Sequence, residues 1–356
     1  MNSNLHPPCP PRRRFLGQLT AVGAGALLPA LESAAQVPGA DLTKVGRIDI
    51  HHHLLPPSYM TTSARVRAGP SPKWSPAMSI EEMDKNGIAT AMVSLVQPGP
   101  WLGEATEARR LARESNDYAA RMASDYPGRF GILAALPLPD SEGSLREIEY
   151  SYGTLKADGI AVMTSYGDKW LGDPTFAPVW EELNRRKAVV YTHPLVPECC
   201  RNLVPDVTAS TIEFATDTTR TIASLLFSGT AARYPDIRFV HSHGGGTTPF
   251  LLSRFVRLEA EMKNREQRLP QGVLQELQKF YYDTAQANHP GALSALLRMA
   301  TTTQVLFGTD YPFRPADEAT RGLREFPLRP RYHRAINREN ALKLFPRLAA
   351  VSGKQS

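Results

Sequence analysis

Short apolar and β-branched runs alternate along nearly the whole chain with longer stretches whose apolar residues recur at helical spacing. The runs fall at 46–54, 90–95, 130–137, 159–164, 188–193, 237–243, 280–284 and 305–310, and the helical stretches at 104–126, 144–155, 174–186, 216–234, 249–268, 290–300 and 336–348. Strands alternating with helices build parallel βαβ units, and eight of them predict a closed α/β (β/α)8 TIM barrel over residues 46–348. Several runs are apolar on both faces, as expected where helices cover the outside of a sheet. The competing fold is a doubly wound open sheet. It would carry a glycine-rich phosphate turn after its first strand, where this chain has three histidines, two leucines and two prolines from His51 to Pro57.

In a barrel, chemistry sits at the carboxyl ends of the strands. Four of the predicted strands end in metal-ligand residue types: Asp49-Ile50-His51-His52-His53, Tyr191-Thr192-His193, His241-Ser242-His243 and Gly308-Thr309-Asp310. Side chains alternate across a strand, so Asp49, His51 and His53 are expected on one face and His52 on the other, towards the helices or solvent. An H-x-H pair alone is weak evidence for a metal. With His193 and Asp310 closing the ring, three imidazoles and a carboxylate suit Zn²⁺, with Mn²⁺ or Fe²⁺ as alternatives. His241, deeper on the face of His243, is expected to be a buried polar partner, and Asp49 to hydrogen-bond a ligand histidine.

The ordered motifs DIHHH, YTHPL, HSHGGG and LFGTDYPF resemble the amidohydrolase superfamily. Within it they resemble the decarboxylase branch that includes aminocarboxymuconate semialdehyde, γ-resorcylate and 6-methylsalicylate decarboxylases. The resemblance spans residues 46–348 and implies one divalent metal on His51, His53, His193 and Asp310, with His243 and Asp310 in proton transfer. Two-metal hydrolases of the superfamily carry a bridging lysine at the end of the fourth strand; Ile160 to Tyr166 contains none. The implied chemistry is carboxylate loss from an aromatic ring, with the metal chelating the carboxylate and a neighbouring phenolic oxygen while a proton is delivered to the ring. The alternative is a hydrolase of a lactone or amide, in which Asp310 deprotonates a metal-bound water. A binding protein with a vestigial site would lack a ligand, and none is missing.

Arg254, eleven residues after His243, stands where semialdehyde decarboxylases carry an arginine that reaches a neighbouring subunit's substrate, which implies a homodimer. Those relatives also carry an arginine in an R-I-x-x-M-D segment, whereas this chain has Ser79 followed by Ile80, Met83 and Asp84. That departure favours a small aromatic acid with a single carboxylate, of the salicylate type. Tyr282, Tyr311 and Phe313, with Asp283, are expected in the pocket wall, and the connections 55–77 and 194–213 are expected to add Tyr59, Trp74 and Leu203.

Composition changes the picture mainly at the amino terminus. A hydrophobic share of 42% and a charged share of 21% describe a globular protein. The net charge of +6 is spread among acids and does not form a nucleic-acid-binding face. Arg12-Arg13-Arg14-Phe15-Leu16, the uncharged run to Leu31 and Ser33-Ala34-Ala35 match a twin-arginine export signal over residues 1–35, so the mature protein is expected in the periplasm or outside the cell, and in the cytoplasm if the signal does not function. The run is too short and too rich in Gly and Ala for a membrane span, and no later stretch suits one. Of the three cysteines, Cys9 would leave with the signal, and Cys199 and Cys200 are expected as free thiols in a loop, with a vicinal disulfide as the alternative.

Overall fold

The computed structural model describes residues 46–66 and 72–352, so the expected export signal lies outside the described residues. Eight parallel strands follow one another around a single sheet in chain order: β1 (Arg47–Leu54), β2 (Ile88–Leu95), β3 (Phe130–Ala135), β4 (Gly159–Met163), β7 (Val189–His193), β8 (Arg238–His241), β9 (Tyr281–Asp283) and β10 (Val305–Leu306). A two-stranded hairpin, β5 (Ser165–Tyr166) and β6 (Lys169–Trp170), leaves the sheet after β4. The ends of the sheet meet: Ile50 N donates to Phe307 O at 3.0 Å, Asp310 N to His51 O at 2.8 Å and His53 N to Tyr311 O at 2.8 Å. The expected barrel is therefore closed by backbone hydrogen bonds beyond β10.

Period-two alternation sorts the side chains. Inward residues Ile48, Ile50, Met92, Leu133, Ala161, Val189, Tyr191, Val240 and Leu306 fill the cylinder, and Ala341, Leu344, Phe345 and Leu348 close the end where the strands begin. Outward residues such as Val93, Ile132, Ala134, Val162, Val190 and Phe239 meet helix residues including Met122, Ile148, Trp180, Leu183 and Leu225. Each large buried side chain there contributes about 1.5–3 kcal/mol of transfer free energy. The floor and flanks are thus apolar, and polar groups gather where the strands end.

Helices near the site differ from the expected bounds for local reasons. The helix expected at 216–234 begins earlier, as Ala209–Phe227, and is broken from Thr230–Arg233 by Gly229 at φ 81°. Its first turns therefore lie inside the connection 194–213. The stretch 249–268 forms Thr248–Glu261 and Arg265–Arg268, divided by Asn264 at φ 61°. Two further helices, Pro76–Lys85 and Ala316–Glu325, fall outside the expected stretches; the second buries a narrow stripe of mostly small side chains, Ala316, Ala319, Thr320 and Leu323. None of the described helices is long and apolar enough to cross a membrane.

Candidate metal centre and active site

The geometry of the site starts from an irregularity in β1. Asp49 pairs with Ala91 and His52 with Val93, so Ile50 and His51 together stand opposite Met92. This extra residue is a β-bulge, and it breaks the alternation on which the expected facing rests. Ile48 and Ile50 point inward below it, and His51 and His53 point inward above it. Asp49 is thereby turned to the same side as His52, contrary to expectation. It receives hydrogen bonds from His51 N (3.0 Å) and Thr309 N (3.1 Å) and lies 3.0 Å from His52 Nδ1, so it orders backbone and His52 rather than a ligand ring. His52 faces the helix layer as expected, 2.9 Å from Ser79 Oγ.

Above the bulge, His51 Nε2 and His53 Nε2 are 3.2 Å apart, and Asp310 Oδ1 lies 3.2 Å from the first and 3.1 Å from the second. The His193 ring centre is 4.7 Å from that of His53 and 5.2 Å from that of His51. One donor atom from each of His51, His53, His193 and Asp310 lies within 4.8 Å of the others, and all four residues are buried. Nδ1 of His193 has no hydrogen-bond partner among the described residues. One buried ring nitrogen left unpaired, beside two others crowded on a single carboxylate oxygen, fits a divalent cation, which would take His51, His53, His193 and Asp310 as ligands. Gly308 allows the approach of the last strand: a Cβ there would stand 2.9 Å from that of His51.

Electrostatics separate the imidazoles. Burial lowers the His51 pKa, but the carboxylates of Asp283 and Asp310 outweigh it and raise the pKa to about 10. Burial, reinforced by His53, His51 and His243, holds His193 well below the ordinary histidine range. His53 is also lowered, chiefly by burial. Burial raises Asp310, but the charge of His51 and the close approach of His243, His51 and His53 hold it well below the usual carboxylate range. The centre therefore offers an anionic oxygen beside neutral imidazoles at His53 and His193, whereas His51, held protonated by Asp283 and Asp310, would release its proton to bind a metal.

Asp283 organises this arrangement. Its Oδ2 lies 2.9 Å from His51 Nδ1 and accepts from Tyr191 Oη at 2.9 Å, while Oδ1 accepts from His243 N at 2.9 Å and Ala285 N at 3.0 Å. One carboxylate thus aims the His51 ring, fixes the backbone of His243 and shapes the turn after β9. Sequence reasoning placed Asp283 only in the pocket wall; its position as the last residue of an inward-facing strand end was the available signal. Asp283→Asn is expected to weaken metal binding by about 10–100-fold, measured by competition with a chelator, while circular dichroism stays native.

His243 opens a short turn, His243–Gly245, at φ 53°. Its Nε2 lies 3.6 Å from Asp310 Oδ2, and neither ring nitrogen has a hydrogen-bond partner among the described residues. The glycines that follow serve close approach: a Cβ at Gly246 would meet Ala215 O at 2.0 Å, and one at Gly245 the Tyr282 ring at 2.8 Å. His241 is a buried partner as expected, 2.9 Å from Thr192 Oγ1, with its pKa lowered to about 3 by burial.

A cleft of about 900 Å³ opens over this centre, lined among others by His53, His193, Phe214, His243, Gln286, Asp310 and Phe313. Phe313 stands edge-on to His53 with ring centres 5.5 Å apart, as expected of a wall residue. The other aromatic expectations are corrected. Tyr282 is fully buried on the outward side of β9, where its hydroxyl donates to Leu277 O at 2.8 Å. Tyr311 lies outside the cleft lining, with its ring centre 5.0 Å from that of His52. Tyr59 is buried and donates to Val96 O at 2.8 Å, Trp74 donates to Ser79 Oγ at 2.9 Å, and Leu203 is 63% exposed. Their place is taken by Phe214, stacked on His243 at 6.3 Å and 21° and edge-on to His193 at 5.9 Å. Arg254 is exposed on its helix and does not line the cleft of its own chain.

Residues 48–347 match the amidohydrolase family. The chain belongs to that family. It is 36% identical over 323 residues to decarboxylase yanB of Aspergillus niger, covering 85% of this chain and 88% of that one. It is 33% identical over 321 residues to 6-methylsalicylic acid decarboxylase of Penicillium expansum, covering 87% and 99%. The fold matches that of a dihydroxybenzoic acid decarboxylase from Polaromonas sp. JS666, solved with bound manganese and the inhibitor 2-nitroresorcinol, at a TM-score of 0.71 and 23% identity over 85% and 97% of the two chains. In the present amidohydrolase β4 ends in Met163 with no lysine from Ile160 to Tyr166, and among the described residues the four-residue cluster is the one group with metal-ligand geometry. Cys199 and Cys200 are free thiols, as expected, and take no part in it.

Proposed function

We propose that this amidohydrolase is a metal-dependent, non-oxidative decarboxylase of a hydroxybenzoate-type acid. The observation that carries the reading is the position of Asp310: one carboxylate oxygen faces two histidine nitrogens, and the other faces His243 over a cleft walled by Phe214 and Phe313. Relatives named as decarboxylases at 33–36% identity support it. When bound, a divalent cation supplies an electrophile for the substrate carboxylate and an adjacent phenolic oxygen. The two phenylalanines hold an aromatic ring beside the centre. His243 and Asp310 Oδ2 move a proton to the ring carbon that bears the carboxylate, the carbon–carbon bond breaks, CO2 leaves and the ring recovers its electron pair.

Zn²⁺ remains the first choice of metal from the histidine-rich ligand set, with Mn²⁺ the alternative supported by the manganese-bound fold relative. Residues 1–35 are proposed to direct export, and Arg254, on the same helix as exposed Phe250, to reach a second copy in a homodimer. Metal-loaded protein incubated with 6-methylsalicylate, 2,6-dihydroxybenzoate and related acids is expected to release CO2 and form the corresponding phenol, followed by chromatography. Opening of lactones with no reaction across the acid panel would instead assign a hydrolase.

A further inference from the structure

Asp310 presents its two oxygens to different partners, and something must keep them apart. Oδ1 faces His51 and His53, whereas Oδ2 faces His243 and accepts a hydrogen bond from the side-chain amide of Gln286. Gln286 lines the cleft and follows Asp283 in the turn after β9, whose backbone is tied by Ala287 N to Thr284 O at 3.1 Å and Ala285 N to Asp283 Oδ1 at 3.0 Å. Gln286 and Asp310 both sit in the left-handed region, at φ 51° and 67°. For non-glycine residues this conformation is strained and persists only where the surroundings impose it.

We propose that Gln286 is the positioning residue that restricts Asp310 to single-oxygen metal binding and keeps Oδ2 available to His243. A carboxylate beside a cation can turn to bind through both oxygens. Here the amide of Gln286 holds Oδ2 on the cleft side, and the turn carrying it is anchored by Asp283, the same carboxylate that aims His51. Loss of the amide leaves the ligand set intact and frees Asp310 to swing.

The inference rests on the metal-site reading above, so its test has one readout independent of turnover. Gln286→Met keeps length and removes the donor; Gln286→Glu keeps shape and replaces the donor by an acceptor. Each is loaded with Mn²⁺ and compared with the parent. Both variants are expected to retain full metal stoichiometry, to give an altered Mn²⁺ electron paramagnetic resonance spectrum, and to lose about 10–100-fold in kcat with KM changed little. Spectra superimposable on the parent's, or kcat within about twofold in both variants, would overturn the proposal. So would loss of the metal itself, which would make Gln286 necessary for the site's assembly. If the parent turns over no hydroxybenzoate, the decarboxylase reading fails and the spectra still decide the role of Gln286.

Discussion

His243→Ala should keep a full complement of metal yet lose decarboxylation by about 10²–10⁴-fold, the range for removal of a general acid–base group. The separation is structural. His243 stands outside the four-residue cluster and faces the Asp310 oxygen that does not point at His51 and His53. Its backbone, held by Asp283, does not depend on the side chain. Metal analysis of the purified variant beside its turnover rate checks both halves, and disappearance of the metal would reassign His243 as a ligand.

Asp310→Asn carries the opposite signature. It removes the one anionic ligand, leaving three imidazoles in a buried setting with only the outer carboxylate of Asp283, behind His51, to offset a divalent charge. Metal affinity should fall by more than the roughly 100-fold limit typical of supporting residues, and activity should vanish with it. Chelator competition and elemental analysis measure the first; rates at raised metal concentration test whether any activity returns. An Asp310→Asn enzyme that held its metal tightly would show that the histidines suffice.

The cylinder and its metal residues were readable in the chain because strand ends are short, local features: His51, His53, His193 and Asp310 each close an apolar run. Facing was harder. Strict alternation misplaces Asp49, since nothing in Asp49-Ile50-His51 announces an inserted residue, which exists only relative to β2. Tyr282 and Tyr311 are aromatic residues beside correct positions, and each falls on the wrong side of its neighbour: Asp283 takes the inward place next to one, and Phe313 reaches the cleft beyond the other. Phe214 and Gln286 depend on where a helix begins and how a turn folds, and neither leaves a periodic trace.

The irregular pairing opposite Met92 divides the first strand into two independent territories. Below it, Ile48 and Ile50 answer only to the volume of the interior; above it, the imidazoles answer only to coordination. Exchanges of aliphatic residues in the lower half should therefore alter melting behaviour while leaving ligand angles untouched, and one shared strand can be tuned for robustness without retuning its reactivity.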